Sequence, residues 1–183
     1  MSDVDLMELS DSLIESQYLT FVITDEEFAV PIMRVKEIIE YQALTQVPMV
    51  PDFISGAVNL RGAVVPVINL AKKFGIESRP INRRSCIVIM EVILDEELVA
   101  LGVLVDKVLQ VLDIPDKDIE PAPTFGAQIK TEFIHGVGKV DENFVIILSI
   151  QNVLSVDEIS VVGNVQEVSP SSESDDAEKE SGS

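Results

Sequence analysis

The sequence is poor in the residues that build disulfides, metal sites and membrane spans. Among its 183 residues are one cysteine, one histidine and no tryptophan. A single cysteine cannot form an internal disulfide, and no apolar run reaches the roughly 18 residues that a membrane helix needs. The first ten residues are acidic and lack the basic region of a signal peptide. We therefore expect a cytoplasmic protein that does not insert into a membrane.

Motifs for catalysis or cofactor binding are also absent. The sequence has no CxxC or HxxxH pair, no EF-hand loop, no P-loop and no GxGxxG. Cys86 lies close to Arg83 and Arg84, which leaves open a reactive thiol, but the single histidine, His135, is distant in sequence. We predict a protein that is not an enzyme and that uses no cofactor and no metal.

Basic residues are scarce: 13 lysines and arginines stand against 32 acids, for a formal net charge of −19. Such a field repels nucleic acid, so we predict no nucleic-acid partner. The ends carry much of this charge. Residues 1–16 hold five acids and no base, and residues 166–183 hold six acids and one lysine. These patterns predict a flexible N-terminal segment and a disordered acidic tail, which follows an extension at 156–165.

Valine and isoleucine dominate the remainder, in short runs separated by turn residues, which is typical of strands. The predicted strands include 18–24, 28–30, 85–94 and 98–105, paired around Asp25-Glu26-Glu27 and a second Asp-Glu-Glu turn. The best helix signal is NLAKKFG, with Asn69 as N-cap and Gly75 after the last turn. Together these signals predict an all-β barrel or sandwich with a few short helices.

The sequence contains an internal duplication. A shift of 80 residues places FISG at 53–56 on FIHG at 133–136, and VVPVINL at 64–70 on FVIILSI at 144–150. We therefore divide the body, residues 17–155, into barrel one at about 17–80 and barrel two at about 85–155. Two small barrels packed on each other would leave a groove between them.

The duplication singles out Arg61, which lies in the turn Asn59-Leu60-Arg61-Gly62 of the first unit. The second unit has Lys139-Val140-Asp141-Glu142 at this place, so the fold does not require arginine there. Arginine is a common interface anchor, because its guanidinium makes bidentate contacts while its stem covers apolar surface. From the residues alone, Arg61 is either such an anchor or a solvated turn residue.

Three segments resemble the CheW coupling proteins of bacterial and archaeal chemotaxis: QYLTFVITDEEFAVPIMRVKEII, VPMVPDFISGAVNLRGAVVPVINLAKKFG and LGVLVDKVLQVL. The resemblance covers about residues 17–155 and implies two SH3-like five-stranded β-barrels. It also implies a non-catalytic adaptor. Such proteins link the cytoplasmic tips of methyl-accepting chemoreceptors to the regulatory domain of the histidine kinase CheA, in arrays at the membrane.

The same resemblance suggests contact residues. The receptor-binding candidates are Val35, Glu37, Arg61, Ile87 and Gly102, in the groove between the barrels. The turn residues that would present Arg61 are Asn59, Leu60 and Gly62. The kinase-binding candidates are Leu44, Val47 and Val50.

Two alternatives remain open within the family. Similar adaptors serve chemosensory systems that control twitching or gene expression rather than swimming. Similar domains also occur in larger CheA- and CheV-type proteins, of which this chain would then be a fragment. The acidic segment beyond residue 165 lies outside the resemblance.

Overall fold

The structure, a computed structural model, describes residues 16–94, 96–121 and 131–153. Its strands are β1 (Gln17–Ile23), β2 (Glu26–Pro31), β3 (Val35–Glu40), β4 (Ile54–Leu60), β5 (Ala63–Asn69), β6 (Cys86–Leu94), β7 (Glu97–Val105), β8 (Lys107–Asp113), β9 (Ile119–Glu120), β10 (Ile134–Val140) and β11 (Asn143–Leu148). Its α-helices are α1 (Leu70–Phe74) and α2 (Ile150–Val153), and 3-10 turns lie at Ile32–Arg34, Asp116–Asp118 and Thr131–Phe133. None of the helices in these ranges is long and apolar enough to cross a membrane. The predictions for 156–165, for 166–183 and for all but the last residue of 1–16 lie outside the described residues.

Tight two-residue turns join successive strands into hairpins. Three of these turns have positive φ at both residues, as in type I′ turns: Thr24-Asp25 (49° and 69°), Arg61-Gly62 (52° and 87°) and Asp141-Glu142 (46° and 69°). Type I′ turns match the right-handed twist of the strands they connect. The predicted turn Asp25-Glu26-Glu27 is placed one residue too late, because Glu26 already pairs with Ile23 and belongs to β2.

Helix α1 begins and ends where its sequence predicts. Asn69 Oδ1 accepts a hydrogen bond from the Lys72 amide at 3.1 Å, which satisfies one of the free donors of the first turn. Gly75 ends the helix with a φ of 77°, in the left-handed region that glycine adopts without a Cβ penalty. The helix buries Leu70, Ala71 and Phe74 against the sheets.

The strands form two sheets, and each sheet closes into a barrel. The six-stranded barrel has the order β8-β1-β2-β11-β10-β9, and the five-stranded barrel has the order β3-β6-β7-β5-β4. In the first, β9 follows β8 along the chain and pairs with β10; in the second, Thr45 follows β3 and pairs with Ala57 of β4. The predicted all-β fold of two barrels is confirmed, with β9 as an additional short strand.

The division of the chain between the barrels differs from the prediction. Strands β1 and β2 pair with β8 and β11 of the second sequence unit, whereas β6 and β7 pair with β3 and β5 of the first. The boundaries 17–80 and 85–155 therefore do not describe the barrels. The duplication itself is present, because the two sheets have the same order when β1-β2 is matched with β6-β7, β3 with β8 and β4-β5 with β10-β11. The two units have exchanged their first hairpins.

Both copies of the Phe-Ile-x-Gly element contain a bulge at the glycine. The register shifts at Gly56 in β4 and at Gly136 in β10. A Cβ atom on Gly56 would lie 2.6 Å from the carbonyl oxygen of Thr45, and one on Gly136 would lie 2.6 Å from Cγ2 of Ile119. The segment that closes each barrel passes too close for a side chain, so both glycines are structural.

A shared hydrophobic core joins the two barrels. It contains buried residues from both sheets and both helices. Four phenylalanines line up across it, with ring-centroid distances of 6.3 Å for Phe21–Phe28, 6.0 Å for Phe28–Phe74 and 5.6 Å for Phe74–Phe133. A smaller cluster fills each barrel, around Tyr18 in the six-stranded barrel and around Ile87 in the five-stranded barrel. The largest cluster of buried residues thus lies between the barrels rather than inside them.

Candidate interaction site

Arg61 is an exposed residue at the first position of the β4–β5 turn, with 75% of its side chain accessible to solvent. The Gly62 amide donates a hydrogen bond to Asn59 Oδ1 at 3.1 Å, which holds the turn. Leu60 packs from the strand end against the interior of the five-stranded barrel. These contacts fix the backbone on which Arg61 is displayed. Type I′ turns favour asparagine or glycine at this position, so turn chemistry does not select an arginine.

An ion pair connects Arg61 to strand β3. Arg61 Nη2 donates to Glu37 Oε2 at 2.7 Å, and the Glu37 side chain is 25% exposed. Because β3 and β4 are the two outer strands in the order of the five-stranded sheet, the pair bridges the line along which the barrel closes. An exposed pair of this kind contributes only about 0.2–1 kcal/mol to stability. Arg61 can therefore exchange Glu37 for a carboxylate of another molecule at low cost.

Val35 and Glu37 face different parts of the molecule, although their spacing along β3 is even. A bulge between them pairs Val35 with Met90 but Glu37 with Ile89. Directly opposed residues of an antiparallel pair share a face of the sheet. Val35 therefore packs partly against the shared core, as Met90 does, while Glu37 faces the side of the barrel interior, as Ile89 does. Of the two candidates, Glu37 is the one beside Arg61.

Ile87 and Gly102 do not lie on the surface. Ile87 is 0% exposed and belongs to the interior cluster of the five-stranded barrel, and Gly102 is buried. A Cβ on Gly102 would lie 2.7 Å from Ile87 Cγ2 and 3.2 Å from Val67 Cγ2, so the glycine makes room for these side chains. The prediction that the two residues form part of a contact surface is wrong with respect to direct contact. Both residues lie in uninterrupted apolar runs of the sequence, and such runs are typical of strands that are buried on both faces.

The candidate segment 44–50 exposes a different residue from those predicted. Leu44 packs against the interior of the five-stranded barrel, Val50 packs against the shared core, and Val47 is half-buried. Met49, in contrast, is 100% exposed and has a φ of 60°. The sequence-based candidates missed it because an isolated methionine carries no periodic signal. The prolines that flank it mark a turn, and the tip of a turn is commonly exposed.

The family model described as CheW-like domain matches residues 17–158. The chain belongs to the CheW family. The match spans all eleven strands and both helices of the described ranges.

Relatives of this CheW-like chain are named as chemotaxis and scaffolding proteins. The chain is 32% identical over 158 residues to chemotaxis protein CheW of Klebsiella aerogenes, covering 86% of this chain and 93% of the relative. It is 33% identical over 156 residues to chemotaxis protein CheW of Thermotoga maritima, covering 84% and 95%. Among solved structures, the scaffolding protein TtCheW of Thermoanaerobacter tengcongensis matches with a TM-score of 0.70 and 34% identity, covering 79% of this chain and 90% of that one.

Two more apolar side chains of the CheW-like chain, those of Ile38 and Phe144, are exposed. Ile38 lies one residue beyond Glu37 on β3 and is 42% exposed, although its partner Val88 is buried in the shared core. Phe144 lies next to the β10–β11 turn and is 62% exposed. The sequence assigned no role to either residue. Because Ile38 shares the face of Val88, it points to the opposite side of β3 from Glu37 and is not part of the Arg61–Glu37 surface.

Cys86 is not placed for nucleophilic chemistry. Burial, and then the nearby Glu40 carboxylate, raise the pKa of the Cys86 thiol above its ordinary value. The Cys86 Sγ donates to the carbonyl oxygen of Arg84 at 3.3 Å. His135 lies on the exposed side of β10, in a different barrel from Cys86. In the described part of the chain, no group of three or more His, Cys, Asp or Glu residues is arranged to hold a metal ion.

We expect Cys86 to react slowly with iodoacetamide at neutral pH. A raised pKa reduces the thiolate fraction, and the thiolate is the form that is alkylated. Native protein should therefore label several-fold more slowly than the same protein in urea, where Cys86 regains the pKa of a free cysteine. Mass spectrometry of timed samples would measure both rates. Native labelling as fast as in urea would contradict this assignment.

Proposed function

We propose that this chain is a non-catalytic chemotaxis adaptor that couples methyl-accepting chemoreceptors to the histidine kinase CheA. In this role it supports receptor control of kinase autophosphorylation. It would be recruited to membrane-associated receptor arrays through its partners, without inserting into the membrane itself. Family membership supports the adaptor class.

The observation that carries the receptor contact is Arg61. It is an exposed arginine on a fixed turn, absent from the equivalent turn at Asp141-Glu142, and held by one weak ion pair. We propose that the receptor tip docks across Arg61 and Glu37. Val35 would support this surface from the edge of the shared core.

For the kinase contact we propose the segment 44–50. Leu44 and Val50 would hold its backbone through their partly buried side chains, and Met49 would make the contact. Methionine suits such a surface, because its flexible thioether adapts to irregular apolar partners. We expect each contact to be weak and to bury less than about 1,200 Å² of surface in total. Many such contacts in an array add through avidity.

Reconstitution tests the proposed function. The protein would be mixed with a receptor signalling fragment and a CheA kinase, and incorporation of labelled phosphate into the kinase would be measured. We expect the protein to make kinase activity dependent on the receptor and to incorporate no phosphate by itself. Lys139→Glu, which changes an exposed charge on β10 in the other barrel, should behave like the wild type. Kinase output that is unchanged by the protein, across several receptor and kinase pairs, would refute the proposal.

A further inference from the structure

A groove lies on a part of the surface that the proposed adaptor contacts do not use. The groove has a volume of about 660 Å³, which lies within the range of about 300–1,000 Å³ that is typical of ligand clefts. The loop at 79–84, the β1–β2 turn and the start of β8 surround it. Its lining residues are Val22, Asp25, Arg79, Pro80, Ile81, Asn82, Arg83, Arg84, Asp106 and Lys107.

The loop that carries its arginines has a fixed backbone. Asn82 Oδ1 accepts a hydrogen bond from the Arg84 amide at 2.7 Å, and Ser85 Oγ accepts one from the Asn82 amide at 2.9 Å. The Ser85 amide donates to the Asn82 carbonyl oxygen at 3.1 Å, and Ser85 is buried. This closed turn holds Arg83 and Arg84 side by side at the rim of the groove.

The groove is cationic in a strongly anionic chain. It gathers Arg79, Arg83, Arg84 and Lys107 around two acids, Asp25 and Asp106. These are 4 of the chain's 13 basic residues. Arg79 is paired with Asp25 at 2.5 Å, and Asp106 Oδ2 accepts from the Thr24 amide at 2.7 Å. Within the described ranges, Arg83, Arg84 and Lys107 have no ion-pair partner, so the groove has unmatched positive charge.

We propose that the acidic segment 166–183 of this same chain binds in the cationic groove. The segment carries six acids and one lysine, the opposite sign to the groove. Most of the residues between its acids are serine and alanine, so little bulk opposes its entry. Exposed pairs are individually worth little, but several of them act together when the segment is tethered.

The tether is long enough. The described chain ends at Val153 in α2, where the Gln151 side chain bonds to the backbone of Ile93 at 2.6 and 3.1 Å. Strand β6 leads from Ile93 back to Cys86 beside the groove, a distance of about 23 Å at about 3.3 Å per residue. The segment 154–166 has 13 residues and reaches about 43 Å at most when fully extended, which exceeds this distance. Tethering over this distance gives an effective concentration in the millimolar range.

The consequence is a groove whose accessibility depends on salt and on competing acids. Screening at high ionic strength weakens contacts between exposed charges, so the segment would leave the groove as salt rises. An acidic partner at sufficient concentration would displace it. This inference concerns a different surface from the Arg61 site and does not depend on the adaptor role.

Paramagnetic relaxation in the full-length protein tests the inference. A nitroxide would be attached at Ser174→Cys in a Cys86→Ser background, and amide signals would be recorded by two-dimensional NMR. We expect the groove amides of residues 79, 81–84 and 106–107 to lose about half of their intensity or more at low salt. They should recover at about 0.5 M salt, where the Debye length has fallen to a few Å.

Charge-matched variants identify the contact. Arg83→Glu with Arg84→Glu should abolish the loss of signal, whereas Lys117→Glu with Lys139→Glu, which changes net charge equally outside the groove, should preserve it. If the double glutamate variant loses its dispersed spectrum, Arg83→Gln with Arg84→Gln replaces it and should reduce the effect at least twofold. Broadening spread over all cationic residues, or no broadening at low salt, would overturn the proposal.

Discussion

Replacing Phe28 with alanine is expected to lower the free energy of unfolding by about 3–5 kcal/mol, the range for a buried phenylalanine whose removal leaves a cavity. Phe28 is 0% exposed and lies in β2 of the six-stranded barrel. Its ring is stacked on Phe21 and lies 6.0 Å from Phe74, which belongs to α1 after β5 of the five-stranded barrel. The substitution therefore weakens the contact between the barrels, and both should lose stability together.

The two tyrosines allow each barrel to be followed separately. Tyr18 is buried inside the six-stranded barrel, and Tyr41 packs against the interior of the five-stranded barrel. Since the chain has no tryptophan, Tyr18→Phe and Tyr41→Phe each leave one fluorescent reporter. In urea titrations both reporters should give the same midpoint, in the parent and with Phe28→Ala added.

Phe144→Ala is the matched control for Phe28→Ala. It removes the same side chain from an exposed position next to the β10–β11 turn, and it should change stability by no more than about 0.5 kcal/mol. Two separated midpoints for the reporters would show that the barrels unfold independently. A loss below about 1.5 kcal/mol for Phe28→Ala would show that the shared core repacks around the cavity.

Arg61→Glu is expected to weaken receptor binding by about 1–3 kcal/mol, roughly 5- to 150-fold, while stability changes by no more than about 0.5 kcal/mol. The reversed charge repels the same carboxylates that the arginine would bind, and it also faces Glu37. Binding of a receptor signalling fragment would be measured by calorimetry, and the melting temperature by circular dichroism. A large fall in melting temperature would instead make Arg61 a structural residue.

A charge swap separates the two roles of Arg61. Combining Arg61→Glu with Glu37→Arg restores an ion pair between β3 and the β4–β5 turn but removes the arginine from the turn. If Arg61 contacts the receptor directly, the double variant should regain stability and remain defective in binding. Arg61→Asn is the complementary variant, because asparagine suits a positive φ and should keep the turn intact. Recovery of binding in the charge swap would mean that only the bridge to β3 matters.

Local chemistry made several elements predictable from the sequence. Asn69 and Gly75 bound a helix because each satisfies a backbone requirement at one end, whatever the rest of the chain does. Gly56 and Gly136 stand at the same place in both copies because the closing segment of each barrel passes close to the backbone there. Such backbone requirements involve only a few neighbouring residues or recur in both units of the duplication, so they can be recognised in a single sequence.

Long-range pairing was less predictable. The duplication shows which segments are equivalent, but the parallel pairs β2–β11 and β5–β7, which assign each hairpin to a barrel, join distant parts of the chain. Burial was also uncertain for single positions. Ile87 and Gly102 belong to strands that are covered by neighbours from other elements, whereas Met49 lies exposed in a turn. These outcomes depend on packing across the whole molecule.

The exchanged hairpins impose an order on assembly during synthesis. All strands of the five-stranded barrel lie between residues 35 and 105, whereas the six-stranded barrel needs β1 and β2 together with strands that end at Leu148. At about 5–20 residues per second, roughly 6–23 s separate the emergence of β2 from that of β11. During that interval Phe21 and Phe28 lack the neighbouring strand β11, which pairs with β2 in the finished barrel. The first hairpin of this fold is among the last to be enclosed, so the nascent chain presents an apolar strand pair until β11 has been synthesised.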